Sequence, residues 1–180
     1  MRHHAESWKG LVAGAAGGLA ASFVMNQFQS AWSKATKKIS EARKNGREQP
    51  REQPVEKQQE PEPDATMKAA EKLAKTLLKR PLNIEQQKKA GPWIHYAFGA
   101  ITGAVYGLAS EYFPEVRRGA GIPFGAAVFA GADELAMPAL GLSKPAREYP
   151  LSTHAYALAS HLVYGATTDL VFRGVRRLVR

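Results

Sequence analysis

The sequence predicts an all-α protein, a multi-pass transmembrane helical bundle of about four spans with a long polar tether after the first helix. Three observations carry that expectation. Long uncharged runs rich in Gly and Ala recur along the chain, two of them place small residues at four-residue spacing, and the polar residues concentrate in residues 34–91. This concentration makes the mean hydropathy of -0.33 misleading, because it averages a charged insert with apolar stretches. The hydrophobic content of 44% is ordinary for a soluble protein, so the clustering is the informative feature.

The whole-chain numbers exclude several classes. No cysteine is present, which removes disulfides, zinc–thiolate sites, iron–sulfur clusters and cysteine nucleophiles. The net charge of +9 would suit a phosphate backbone. The basic residues, however, flank apolar runs or mix with glutamates, and no RNA or DNA motif accompanies them. Membrane lipids with anionic headgroups are therefore the expected partners, and no nucleic acid is expected.

The first unit, residues 1–33, reads as an N-terminal transmembrane helix. Residues 10–33 carry no charge and lie between Lys9 and Lys34. At about 1.5 Å per residue such a run crosses a hydrocarbon layer of roughly 30 Å. It is longer than the apolar region of a typical signal peptide, which favours an uncleaved anchor. Gly10, Gly14, Gly18 and Ser22 share one face and form a ridge that a second helix can approach closely. Trp8 and Trp32 sit near its ends, where indoles prefer the interface.

Residues 34–91 are a charged Pro/Gln-rich linker. Arg47-Glu48-Gln49-Pro50 repeats at once as Arg51-Glu52-Gln53-Pro54, and this composition cannot form a core. Beyond it Asp64 can cap a basic amphipathic helix over about 65–80, with Met67, Ala70, Leu73, Ala74 and Leu77 as its apolar stripe. Such a helix is expected on the lipid surface, with a docked protein partner as the alternative.

Residues 92–180 are the expected three-helix core. Its first helix, over 91–113, starts at Pro92 and repeats the small-residue ridge with Gly99, Gly103 and Gly107. The two ridges can pair within one chain or build a homo-oligomer. His95 lies in the first turn of that helix, where an interfacial histidine is usually without special role. The next segment is uncharged over 119–132, is interrupted by Asp133 and Glu134, and contains Pro138. The last, over about 151–172, carries His154, His161 and Asp169 and ends in Arg173, Arg176, Arg177 and Arg180, guanidinium groups expected at lipid-headgroup level.

Carboxylates inside a bilayer are costly and ask for a reason. Asp133, Glu134, His154, His161 and Asp169 form the candidate buried proton or ion site. Pro138 lacks an N–H and cannot bond the Glu134 carbonyl four residues back, which places a free oxygen beside a carboxylate. Three readings compete: hydrogen bonds that only pin helices together, a proton relay through His161 with Asp133 or Glu134, and a metal site. The metal reading is disfavoured because no compact HxxxH or HxxE spacing occurs. No GxSxG, HExxH or phosphate-cradling loop is present, so no enzyme, cofactor or catalytic residue is expected.

Residues 106–114 (YGLASEYFP), 138–145 (PALGLSKP) and 161–177 (HLVYGATTDLVFRGVRR) together resemble the YagU-like bacterial inner-membrane proteins of unknown molecular function. The resemblance covers about residues 100–180. It implies a multi-pass inner-membrane protein loosely linked with acid resistance, with His161 and Asp169 at the family's His and acidic positions. Where that family has a further carboxylate a turn before the histidine, this chain has Ala157, and the REQP-containing tether is not part of the resemblance. The expected function is a membrane-integrity or acid-stress factor with a buried proton site. A scaffold that recruits a partner through residues 34–91, or a subunit of a small-solute or ion transporter, are the alternatives.

Overall fold

The computed structural model describes residues 6–45 and 63–179. Among these, every regular element is helical. Helix α1 spans Ser7–Asn45, α2 Ala65–Leu77, α3 Ile84–Tyr112, α4 Ile122–Val128, α5 Met137–Ala139 and α6 Leu151–Leu178. A π-helical stretch, Phe129–Ala136, joins α4 to α5 without a break. Short 3-10 helices, Pro114–Arg117 and Ala146–Glu148, bridge the elements on either side.

Helix α1 is the axis of the bundle, packed against α3 on one side and α6 on the other. Its contact with α3 is antiparallel and nearly backbone to backbone. A Cβ on Gly10 would overlap Gly107, one on Gly14 would overlap Gly103, and one on Gly18 would overlap Gly99. The two ridges are thus occupied by each other within a single chain. The same device recurs between α4 and α6, where Gly121 abuts Gly165 and Gly125 abuts the His161 carbonyl. Gly17 presses on Thr168 in the α1–α6 contact. Small residues bring the backbones together where hydrophobic side chains would hold them apart.

Between these close approaches lie two small clusters, Ala13 with Tyr106 and Phe172, and Ala21 with Met25 and Tyr164. Phe124 of α4 packs against both. Its ring lies 4.6 Å from that of Tyr106 and 6.1 Å from that of Tyr164.

Several boundaries depart from the sequence expectation. Helix α1 does not stop at the first lysine but continues to Asn45, because Lys, Ala, Ser and Glu propagate a solvated helix readily. The REQP repeats lie outside the described residues. Helix α2 has its Asp64 cap, whose carboxylate accepts from the Met67 N–H at 2.9 Å. It ends at Leu77, earlier than expected, and Ala70 and Ala74 are buried while Leu73 and Leu77 are exposed. It packs on α3, and Lys72 donates to the Leu140 carbonyl at 3.1 Å.

Helix α3 begins at Ile84, well before Pro92, under a reciprocal capping box between Asn83 and Gln86. Pro92 therefore lies inside the helix. Helix α5 closes in a Schellman turn: Leu142 N–H donates to Met137, Gly141 N–H to Pro138, and Gly141 has φ +68°.

One helix among the described residues, Ser7–Ala42, is long and apolar enough to cross a membrane. Large apolar side chains also stand exposed on α1, α3 and α6, among them Val12, Phe23, Ile101, Val105 and Leu170.

Candidate functional site

The two adjacent carboxylates lie in the π-helical stretch, and the register of that stretch decides where they point. Met137 N–H donates to Ala132, five residues back. Proline at 138 drives this opening: in an α-helix its ring would strike the Glu134 carbonyl, and a wider turn relieves the clash. The carbonyl that loses a donor to Pro138 is then that of Asp133, five residues back, and not that of Glu134 as an α-helical register implies.

Asp133 and Glu134 reach different histidines of α6. Glu134 Oε1 lies 2.7 Å from His154 Nδ1, and the other ring nitrogen, Nε2, lies 3.1 Å from the Ala146 carbonyl. Asp133 Oδ2 lies 3.6 Å from His161 Nδ1, which sits 2.9 Å from the Ala157 carbonyl. The acidic pair is therefore split, Glu134 toward the Ala146–Glu148 turn and Asp133, still part-exposed, toward His161. Tyr149 packs edge-on against His154, and Phe129 lies beside His161.

Asp169 does not join them. It is 2% exposed and belongs to a separate network. Tyr106 donates its hydroxyl to Asp169 Oδ1 at 2.6 Å, and Arg173 Nε lies 2.7 Å from Oδ2. The arginines expected at headgroup level are partly engaged. Arg173 also donates to the Arg117 carbonyl, and Arg176 grips Glu111 through two N–H groups at 2.6 and 3.1 Å, with Glu6 at 3.6 Å. A hydrogen bond from Lys9, aided by Arg176, holds the Glu6 carboxyl below its ordinary range. Arg177 is exposed, and Arg180 lies outside the described residues.

Asp133 and His161 line a cavity of about 500 Å³ between α1, α3, the π-helical stretch and α6, with the start of α2 at its rim. Further polar residues line it, among them Ser22, Asn26, Gln29, Asp64, Lys88 and His95. Neither Ser22 Oγ nor His95 Nε2 has a hydrogen-bond partner, although both atoms are buried. The expectation that His95 is an ordinary interfacial residue therefore misplaces it. Its position follows from the glycine ladder: one step beyond Gly18 and Gly99, the same antiparallel register sets Ser22 against His95. Among the described residues, no group of three or more His, Asp or Glu side chains converges as a metal site.

A family model described as protein of unknown function (DUF1440) matches residues 39–170. The chain belongs to the DUF1440 family. The matched span contains Asp133, Glu134, His154, His161, Asp169 and the α3 ridge, whereas the α1 ridge precedes it. No curated protein matches the chain, and no solved structure does.

Proposed function

We propose that this DUF1440 protein is a multi-pass protein of the bacterial inner membrane, without enzymatic activity, whose His/carboxylate pairs bind and release protons. In that role it serves acid stress resistance or membrane integrity, as the resemblance to YagU-like proteins implies.

The observation that carries the reading is the environment of His154. Both ring nitrogens face oxygens, one a carboxylate and the other a carbonyl that can only accept. Two hydrogen bonds then need two protons on this side of the pair: either an imidazolium beside an ionised Glu134, or a neutral ring beside a protonated one. The Glu134–His154 pair thus holds one proton more than a neutral ring beside a free carboxylate. Losing it leaves a nitrogen and an oxygen facing each other with no hydrogen between them. Proton loss is in this way coupled to the contact between the π-helical stretch and α6. Asp133 and His161 form a second pair, in which the imidazole is buried and the carboxylate part-exposed.

Several features support the membrane setting. The hydrophobic run of α1, the backbone contacts of the glycine ridges and the apolar side chains turned outward on α1, α3 and α6 suit lipid as solvent. Trp8 and Trp32, separated by about 36 Å of helix, suit its two interfaces.

The test is a proteoliposome loaded with a pH-sensitive dye, together with acid survival of cells carrying the same variants. The expected result is a proton flux, and protection, that fall at least about tenfold in Glu134→Gln and His161→Ala, a change of about 1.4 kcal/mol. If both variants match the parent in flux and survival, the proton reading fails.

A further inference from the structure

The cavity beside Asp133 and His161 has a chemistry that proton exchange leaves unused. At about 500 Å³ it falls in the size range of pockets that hold small organic ligands. Much of its wall is apolar, with Met25, Phe98, Val128 and Tyr164 contributing. Beside the donors of Asn26, Gln29 and Lys88, the polar lining offers lone pairs. His161 Nδ1 faces the Ala157 carbonyl, so it carries the hydrogen and leaves Nε2 as an acceptor in the neutral ring. The Asp133 carboxylate only accepts when ionised.

Two buried atoms wait for a partner. Ser22 is 1% exposed, and neither its Oγ nor His95 Nε2 is hydrogen-bonded. A buried polar group left in that state is destabilising, and a bound molecule with N–H donors offsets the loss. Charge narrows the class further. Two carboxylates, Asp64 and Asp133, line the cavity against one ammonium, Lys88, which is itself paired with Glu85 at 3.0 Å. An anion is therefore disfavoured, while a cation is attracted to Asp133 and to the rings of Phe98 and Tyr164.

We propose that this cavity binds a small organic ammonium cation with an apolar body. The ammonium group donates to Asp133 and the neighbouring imidazole, and the body packs against Phe98 and Tyr164. The proposal goes beyond the proton reading and does not rest on it, since a ligand of this class is held whether or not either histidine exchanges protons in function.

Isothermal titration of the full chain in zwitterionic-lipid nanodiscs tests it with three probes that share one apolar body: phenethylammonium, 2-phenylethanol and 3-phenylpropionate. The expected order is the ammonium tightest, the alcohol at least about tenfold weaker, and the carboxylate without measurable binding. Asp133→Asn should bring ammonium and alcohol within about twofold of each other while the alcohol keeps its affinity, which shows the cavity intact. In the unmodified protein, the methylene next to the ammonium should give NOEs to the His161 ring, a readout that does not depend on any variant folding. Equal binding of the carboxylate, no binding of the ammonium, an unchanged preference in Asp133→Asn, or NOEs to lipid alone would each overturn the proposal.

Discussion

Gly14 and Gly103 meet across α1 and α3 with no room for a side chain on either: a Cβ on Gly14 would run into the Gly103 carbonyl oxygen and come within 2.8 Å of the Gly107 Cα. The obstruction is backbone on both helices, so no rotamer change relieves it. Gly14→Ala should destabilise the bundle by about 1–3 kcal/mol, the range of an overpacked core, and Gly14→Leu should separate the helices. Gly174→Ala is the internal control. Nothing lies within 4 Å of the Cβ it would add, so it should be neutral or stabilise α6 by up to about 1 kcal/mol. Thermal unfolding in nanodiscs would compare them, and equal loss in the two alanine variants would contradict the close-packed ridge.

A second network sits at the opposite end of the bundle from the cavity. The buried carboxylate of Asp169 depends on the Tyr106 hydroxyl and on Arg173. Tyr106→Phe removes one donor to a charged acceptor and keeps the ring contacts with Phe124 and Phe172. The expected loss is about 1.5–3 kcal/mol. Since Asp169 lies apart from both His/carboxylate pairs, this variant should lower the unfolding temperature without changing proton flux through folded protein. A selective loss of flux at unchanged stability would place Asp169 in the proton path.

How much of this was legible in the sequence depends on whether the signal was local. The α1 and α3 ridges could be read because a four-residue repeat of glycine lies within each segment. The α4–α6 approach was harder to read: Gly121 and Gly125 show the four-residue spacing once, but Gly165 opposite them has no glycine four residues to either side. The division of Asp133 and Glu134 between two histidines was also hidden, because it needs the π register that Pro138 imposes. His95 was the largest omission. The information was present in the ladder, where Ser22 and His95 occupy its next step, but reading it required the pairing register of two helices about seventy residues apart in the chain, not a motif within one of them. The reciprocal cap at Asn83 and Gln86, three residues apart, was a local signal passed over in favour of Pro92.

The pH response of the Glu134–His154 pair has a definite sign. Both of its hydrogen bonds are satisfied only while the pair keeps its extra proton, so the link between the π-helical stretch and α6 is complete at low pH and loosens as pH rises. Nitrogen-15 NMR of histidine-labelled protein should show His154 changing protonation in one step. Amide exchange in residues 129–139 should quicken over the same interval. In Glu134→Gln the exchange should no longer follow the His154 step, because the carboxylate that shares the proton with the ring is gone. Exchange rates that ignore pH would separate the pair from the mobility of the stretch.

The linker can be tested apart from the bundle. Removing 34–80 would also remove α2, which forms part of the cavity rim and packs on α3, so its loss would not isolate the tether. Replacing 46–62 with a Gly/Ser linker of the same length leaves both α1 and α2 in place. Under the proton reading this replacement should retain flux within about twofold of the parent, since no His/carboxylate pair is touched. Abolished acid protection at unchanged flux would instead assign the function to a partner recruited by the linker.

Pro138→Ala asks whether the π-helical register is what aims the carboxylates. Alanine restores an N–H at 138 and removes the ring that would collide with the Glu134 carbonyl in an α-helix. The stretch is then free to close to the i→i−4 register, which the residues around it otherwise favour. Closing by one residue turns everything before it by about 100° relative to α5. Asp133 and Glu134 cannot both keep their present histidines after such a turn. The expected outcome is a more stable helix with a defective site: a higher unfolding temperature, loss of the His154 protonation step, and proton flux lowered to the level of Glu134→Gln. Retention of the His154 step at higher stability would show that the tertiary contacts with α6, and not the proline, hold the register open.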